Sequence, residues 1–273
     1  MILNCAGNIY LGQETAQAVY YGEIYIWPIE NYNFIYNIDN NQVALIFYQG
    51  EETSIRTPRR IDGANTTSIS PICFNGNENI ETVIINNGIT EINLSLLSFI
   101  PTSCFYSCKS LTSVSLGTGN ITLSQGAFLE CPLLSEITNL SYVTNLGFGA
   151  LQGTTLSEIN LPNLATMSTS GNNCMNNSQL QTVSLGGAFG KIQKSAFASC
   201  PLLTSLYLLN TDAIIQLNSS AANVFNSSPL KPGGLDGVYG SIYVPAALYN
   251  DYLANASWAA IEASHAGTFV SIT

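Results

Sequence analysis

The sequence predicts a mainly β fold with some α structure, in which about seven short repeats stack into a solenoid. Three observations lead to this prediction. An apolar frame recurs along the chain, each copy ends in a period-2 alternation, and the polar residues are mostly uncharged. A small β module is expected before the repeats and a helical cap after them.

The apolar frame is clearest at residues 191–208, which read KIQKSAFASCPLLTSLYL. Each copy contains one large apolar anchor residue, and successive anchors lie 22 to 31 residues apart. The anchors are Phe74, Phe105, Phe128, Leu151, Met175, Phe197 and Phe225. One copy cannot bury its apolar face alone, so equivalent residues are expected to stack in a continuous core.

Each copy ends in an L-x-x-V-x-L pattern, which predicts a short strand with its aliphatic residues facing the core. The inward positions are Val83, Val114, Ile137, Ile159, Val183 and Leu206. The third copy departs from the pattern, because the pair Thr138-Asn139 precedes Leu140.

The residues on either side of each inward position are expected to point to solvent, and we call this surface the strand face. Its first row is Thr82, Ser113, Glu136, Glu158, Thr182 and Ser205, and its second is Ile84, Ser115, Thr138, Asn160, Ser184 and Tyr207. Small polar groups in such rows suit hydrogen bonds to a protein or a glycan, although a sugar site would normally need clustered aromatic residues. The strand face is the predicted binding surface.

Glu136 and Glu158 precede the strand isoleucine in neighbouring copies, so we expect them to stack. A carboxylate pair could act as acid and base or bind calcium, but two solvated glutamates are the favoured interpretation. The chain has one histidine, His265, and no recognisable catalytic motif. No enzyme activity, cofactor or metal is predicted.

The composition excludes several classes of partner. Net charge is −10 and no basic stripe is present, which argues against nucleic acid and anionic membranes. No apolar window is long enough for a membrane-spanning helix, and the first residues, MILNCAGNIYLGQ, do not resemble a signal peptide. The protein is therefore expected either in the cytoplasm or outside the cell by a route other than secretion.

Seven cysteines are present, and three of them, Cys108, Cys131 and Cys200, each follow an anchor by three residues. Because this position recurs from copy to copy, buried thiols are favoured over disulfides or metal ligands.

Two near-complete copies carry a family resemblance. The pattern A-F-x-x-C-x-x-L occurs at residues 127–134 and 196–203, and it resembles the BspA-like leucine-rich repeats. The resemblance implies a right-handed leucine-rich repeat solenoid over residues 69–241, preceded by a linker and cap strands at 29–68. Residues 242–273 are expected to form a closing strand, ended by Pro245, and a helix that presents Leu248, Tyr252 and Leu253 on one face. An insertion at residues 93–101 and a weak fifth copy at residues 167–185 depart from the family pattern.

Residues 1–28 are different in kind, with I-Y-L-G, V-Y-Y-G and I-Y-I-W-P pieces in succession. They resemble N-terminal segments of virion structural proteins of tailed phages that infect gut bacteria, crAss-like phages among them. The resemblance implies a docking or oligomerisation module. Its candidate contact residues are Tyr10, Leu11, Tyr20, Tyr21 and Trp27.

The predicted function is a non-enzymatic phage virion surface protein, a head or tail fibre or a decoration protein. Its N-terminus would dock to other virion proteins or to itself, as a homodimer or homotrimer, and its repeats would present an adhesive surface to a host protein or glycan. The alternative is a bacterial cell-surface adhesin or a protein-binding scaffold.

Overall fold

The computed structural model describes residues 33–92, 103–168, 175–177 and 179–273, together with the backbone of five short strands before residue 33. The described chain is mostly strands with few helices, which confirms the predicted mainly β class. The insertion at residues 93–101, Cys5, Cys174 and Trp27 lie outside the described residues.

The strands follow one another closely along the chain. The first ten are β1 (Ile2–Leu3), β2 (Ile9–Leu11), β3 (Glu14–Thr15), β4 (Val19–Tyr21), β5 (Ile24–Ile26), β6 (Phe34–Asp39), β7 (Gln42–Tyr48), β8 (Ser54–Arg56), β9 (Arg60–Ile61) and β10 (Ala64–Ile69). The next eight are β11 (Thr82–Ile84), β12 (Glu91–Ile92), β13 (Ser113–Ser115), β14 (Ile121–Leu123), β15 (Glu136–Thr138), β16 (Val143–Leu146), β17 (Glu158–Leu161) and β18 (Thr166–Met167). The last six are β19 (Thr182–Leu185), β20 (Lys191–Ile192), β21 (Ser205–Leu208), β22 (Gln216–Leu217), β23 (Ser241–Pro245) and β24 (Phe269–Ile272).

Before residue 33, β1, β2 and β3 pair in an antiparallel sheet, and β4 and β5 form an antiparallel pair. The predicted docking residues Tyr10, Leu11, Tyr20 and Tyr21 lie in these strands, but their side chains are outside what the structure describes. The docking role of this segment stays a prediction.

The strands of the L-x-x-V-x-L pattern form two parallel sheets in the predicted register. One contains β8, β11, β13 and β15, and the other contains β17, β19, β21, β23 and β24. Val83 pairs with Val114, which pairs with Ile137. Ile159 likewise aligns with Val183, and Val183 with Leu206. These inward aliphatic residues are buried, as the alternation predicts.

A further sheet lies along a second side of the repeats. Its strands run in the order β6, β7, β10, β12, β14, β16 and β18, with β9 paired to β10, and only β6 and β9 are antiparallel to their partners. Strands β20 and β22 form a separate parallel pair. We call the seven-strand path from β6 to β18 the second sheet.

The anchor residues form a buried column between the sheets. The rings of Phe74 and Phe105 stack with centroids 4.8 Å apart, and those of Phe105 and Phe128 with centroids 5.0 Å apart. Leu151 and Met175 continue the column as fully buried aliphatic members. Phe197 and Phe225 then stack again, with centroids 5.6 Å apart. The predicted continuous core is therefore present in the described residues.

The described cysteines are buried thiols, as their recurring position predicts. The three at the recurring position each donate to the backbone carbonyl of the anchor residue one copy earlier: Cys108 Sγ to Phe74 O at 3.0 Å, Cys131 Sγ to Phe105 O at 2.8 Å, and Cys200 Sγ to Met175 O at 3.1 Å. Burial raises the pKa of the Cys200 thiol to about 12, so this thiol stays protonated at neutral pH.

The C-terminal segment closes the column with two helices rather than the single predicted one. After a short helix α1 (Ala221–Val224), the chain forms β23, then α2 (Tyr249–Ala254) and α3 (Ala256–Ser264). Asn255 separates α2 from α3, because its side chain caps α3 by accepting from Ser257 N and Trp258 N. Of the three residues predicted on one face, Leu248 and Tyr252 are buried and Leu253 is half-buried against the core.

Candidate binding surface on the strand face

The structure places the predicted strand-face residues in two separate groups. In the first group Thr82, Ser113 and Glu136 lie side by side on β11, β13 and β15, with Ser115 next to Thr138 behind them. In the second group the row Glu158, Thr182 and Ser205 lies on β17, β19 and β21, beside the row Asn160, Ser184 and Tyr207. Every predicted residue therefore lies on a strand in the expected register within its group.

The expected stacking of Glu136 on Glu158 is wrong. Their strands, β15 and β17, do not pair, because β15 ends one sheet and β17 begins the next. The strand face is thus split between the third and fourth copies. An edge strand leaves backbone amide and carbonyl groups on one side without a neighbouring strand, so the split exposes polar backbone on both of its sides.

The split coincides with one additional residue in the third copy. In the second copy Leu116 follows Ser115 directly, and in the fourth Leu161 follows Asn160, but in the third Asn139 stands between Thr138 and Leu140. Asn139 adopts the left-handed conformation with φ 67°, which asparagine tolerates better than most residues. A 3-10 turn at Leu140–Tyr142 follows and returns Leu140 to the core.

A cleft of about 350 Å³ lies along the split. Both of its ends are closed by hydrogen bonds between the two copies. Thr155 N donates to Leu134 O at 2.9 Å at one end, and Asn163 Nδ2 donates to Ser141 O at 2.9 Å at the other. The cleft is lined by Ser135, Glu136, Ile137, Asn139, Leu140, Ser141, Leu156, Ser157, Glu158 and Asn160. It is therefore a bounded opening between two sheet edges, lined by both polar and apolar residues.

Strand-face residues are most exposed beside this cleft. Glu136, Thr138, Glu158 and Asn160 are exposed, whereas the equivalent residues on β11, β13, β19 and β21 are half-buried. A strand with neighbours on both sides is partly covered by their side chains, and β15 and β17 each lack one neighbour. The charged residues of the two rows, Glu136 and Glu158, are therefore both accessible to a partner.

The strand face also carries an aromatic pair that the sequence analysis missed. Tyr207 and Tyr243 stack with ring centroids 4.2 Å apart and nearly parallel planes. Partial burial raises the pKa of Tyr207, and the neighbouring Tyr243 and Glu158 raise it further. The signal was present in the sequence, since Tyr243 in I-Y-V occupies the same position as Tyr207 in L-Y-L.

The described residues hold no cluster of three or more His, Cys, Asp or Glu side chains arranged for a metal ion. Among the helices that the structure describes, none is long and apolar enough to cross a membrane. His265 lies near the C-terminus, where its ring stacks on Tyr239 with centroids 3.9 Å apart.

These features define a repeat protein with one polar, accessible sheet face. A family model for the BspA type leucine-rich repeat region matches in six copies over residues 46–99 and 98–229, which is more than half of the chain. The chain therefore belongs to the BspA type leucine-rich repeat family.

Three solved structures are similar to the chain. The leucine-rich repeat protein of T. pallidum matches with a TM-score of 0.57 at 20% identity, over 68% of this chain and 83% of that one. A leucine-rich cell surface protein from Faecalibacterium prausnitzii matches with a TM-score of 0.31 at 15% identity, over 87% and 91% of the two chains. A leucine-rich repeat protein from Bacteroides ovatus has a TM-score of 0.26 at 14% identity, over 90% and 100%. The T. pallidum match shows a shared fold, and no curated protein matches this chain.

Proposed function

We propose that this protein is a non-enzymatic binding protein, an adhesin or protein-binding scaffold, whose repeats form a right-handed solenoid and whose strand face contacts the partner. The observation that carries the proposal is the pair of in-register rows of accessible polar side chains on β11 to β15 and on β17 to β21. Stacked repeats suit this role, because each copy adds one more contact in register.

The chemistry of the rows favours hydrogen bonding to a protein or a glycan. Ser113, Ser115, Thr182 and Ser184 present hydroxyl groups on half-buried positions, where each hydroxyl can donate and accept. The stacked Tyr207 and Tyr243 add apolar surface with polar tips, a combination that is enriched at protein interfaces.

The test is binding of the purified chain to an array of extracellular proteins and polysaccharides, with paired variants. Ser115→Arg with Ser184→Arg places two large cations on the strand face, and Thr90→Arg with Thr166→Arg adds the same charge at exposed sites near the second sheet. We expect the first pair to weaken binding at least tenfold and the second pair to leave it unchanged. Equal effects of the two pairs would contradict binding through the strand face.

The location of the protein is a separate part of the proposal. The sequence resemblance of residues 1–28 to virion proteins favours attachment to a phage particle as a fibre or decoration protein, while an adhesin would lie on the bacterial cell surface. Removal of residues 1–28 should abolish incorporation into particles and leave the repeats folded. Immuno-electron microscopy with antibodies against the repeats tests this, because label on phage supports the virion location and label only on cells supports the adhesin.

A further inference from the structure

We propose that the cleft between β15 and β17 binds an arginine side chain of an extended segment in the partner protein. The proposal rests on the proposed binding function and specifies where the most selective contact is made. Its three arguments are the shape of the cleft, the supply of hydrogen-bond acceptors around it, and the uncompensated negative charge at its mouth.

The shape favours a single inserted side chain. At about 350 Å³ the cleft is at the small end of the range for ligand pockets, and the hydrogen bonds at Thr155 and Asn163 close its two ends. A strand cannot pass along a cleft closed in this way. A long side chain can enter from the strand face, while its backbone lies across the exposed edges of β15 and β17.

The lining is rich in acceptors. Glu136 lines the cleft from β15 and Glu158 from β17, and Asn139 and Asn160 line it as well. Asn139 Nδ2 already donates to Leu116 O at 2.7 Å, so its Oδ1 is the group left to accept. A guanidinium has five donors in a fixed planar fork and no acceptor, which suits a cleft lined by two carboxylates and two amide groups better than the three donors of a lysine ammonium.

The charge at the cleft is not balanced by this chain. Among the described residues the one ion pair joins Lys109 Nζ to Glu78 Oε1 at 2.7 Å. Within that part of the chain, neither Glu136 nor Glu158 is paired with a basic side chain. The chain contains only 7 basic residues against 17 acidic ones. A basic side chain of a partner can therefore pair with these carboxylates without displacing a cation of the described residues.

The experiment is a titration of the full-length, 15N-labelled protein with the peptide acetyl-Gly-Gly-Arg-Gly-Gly-amide, followed by amide chemical shifts. The control peptide carries citrulline, which keeps the shape of arginine without its charge. The test variant is Glu136→Gln with Glu158→Gln. The matched control is Glu51→Gln with Glu81→Gln, which removes two exposed carboxylates outside the cleft.

We expect the arginine peptide to shift the amides of β15, β17 and the Leu140–Tyr142 turn, and the citrulline peptide to bind at least tenfold more weakly. The cleft variant should lose at least tenfold in affinity, and the matched control should bind as the unchanged protein does. Shift dispersion in the same spectra verifies that each variant is folded.

Two results would overturn the proposal. One is equal binding of the arginine and citrulline peptides, and the other is arginine binding that is the same in the cleft variant and its control. Neither result affects the strand-face array experiment. If array binding persists while the arginine peptide fails to bind, the cleft assignment is wrong and the proposed function stands. If the peptide binds to the cleft but the two pairs of arginine variants affect array binding equally, the cleft assignment stands and binding of the partner through the strand face is wrong.

Discussion

The two sides of the repeats respond differently to the same additional residue. On one side, the second sheet runs from β14 to β16 to β18 through the third and fourth copies without interruption. On the other side, the strand face stops at β15 and resumes at β17. The same stretch of chain serves both sides, so the difference lies in where the extra residue is accommodated.

The second sheet absorbs the change because it comes after the turn that follows Asn139. The Leu140–Tyr142 turn delivers Val143 to the buried position beside Ile121, and the β14–β16 ladder adjusts through a register shift between Ile121 and Thr122. On the strand face the additional residue falls at the end of the strand itself, where the short ladder has no room to adjust. The repeats can thus lose one sheet locally while their core and their other sheet continue.

The largest expected effect concerns the core beneath the split. Phe128→Ala should destabilise the protein by roughly 3–5 kcal/mol, because it removes a fully buried ring from the aromatic column and leaves a cavity. Urea unfolding measures the change. Leu133→Ala in the same copy is the control, since that side chain is 54% exposed and should cost no more than about 0.5 kcal/mol. A small cost for Phe128→Ala would mean that the split extends into the core.

The next effect concerns the cap that closes the second group of strands. Burial raises the pKa of Tyr252 to about 12, while its hydroxyl accepts from Ile215 N at 3.0 Å. The stabilising contribution of the neutral phenol is complete below the unfolded-state pKa of about 10 and is lost as pH rises through the folded-state pKa, because the unfolded chain ionises first.

Between pH about 9 and about 12 the unchanged protein should therefore lose roughly 2–3 kcal/mol more stability than Tyr252→Phe does. Urea unfolding of both proteins at the two pH values measures the difference. An identical pH dependence would show that Tyr252 is accessible and that the helices do not seal this end of the core.

The smallest expected effect concerns two buried thiols, one on each side of the split, which should not be alkylated in the folded protein. Cys131 precedes the split and Cys200 follows it. A hydrogen bond to Cys108 and burial raise the pKa of the Cys131 thiol above its ordinary value, and burial raises the pKa of the Cys200 thiol. Iodoacetamide labelling followed by peptide mass spectrometry should leave both unmodified in the folded protein and label both in urea. Labelling of Cys131 alone would indicate that the split opens the neighbouring core.

The periodicity of the sequence was sufficient to predict the repeats. The spacing of Phe105, Phe128 and Phe197 gave the column, and the alternation around Val114 and Val183 gave the strands and the rows of the strand face. These features were predictable because each depends on a residue type that must recur for neighbouring copies to bury one another.

The cleft was not predictable in the same way. Asn139 is visible as an additional residue before Leu140, but the pattern alone does not say whether the slip breaks the strand face, the second sheet or both. That outcome depends on three-dimensional details, namely the left-handed conformation of Asn139 and the turn after it. The division of the cap into two helices does have a signal in the sequence, because asparagine is a preferred N-cap residue and Asn255 directly precedes the second helix.

A single residue, Asn139, is expected to open the strand face, and hydrogen exchange of a variant without that residue tests this most directly. Deletion of Asn139 places Leu140 directly after Thr138, as Leu161 follows Asn160, so β15 and β17 should pair. Asn139→Gly is the control, because glycine keeps both the residue count and the left-handed conformation.

In the unchanged protein and in Asn139→Gly, the amides on the facing edges of β15 and β17 should exchange faster than those between β19 and β21. In the deletion variant they should slow by roughly fivefold or more, since one backbone hydrogen bond is worth about 1 kcal/mol. Unchanged exchange at these edges after the deletion would contradict the account, as would edges already protected in the unchanged protein.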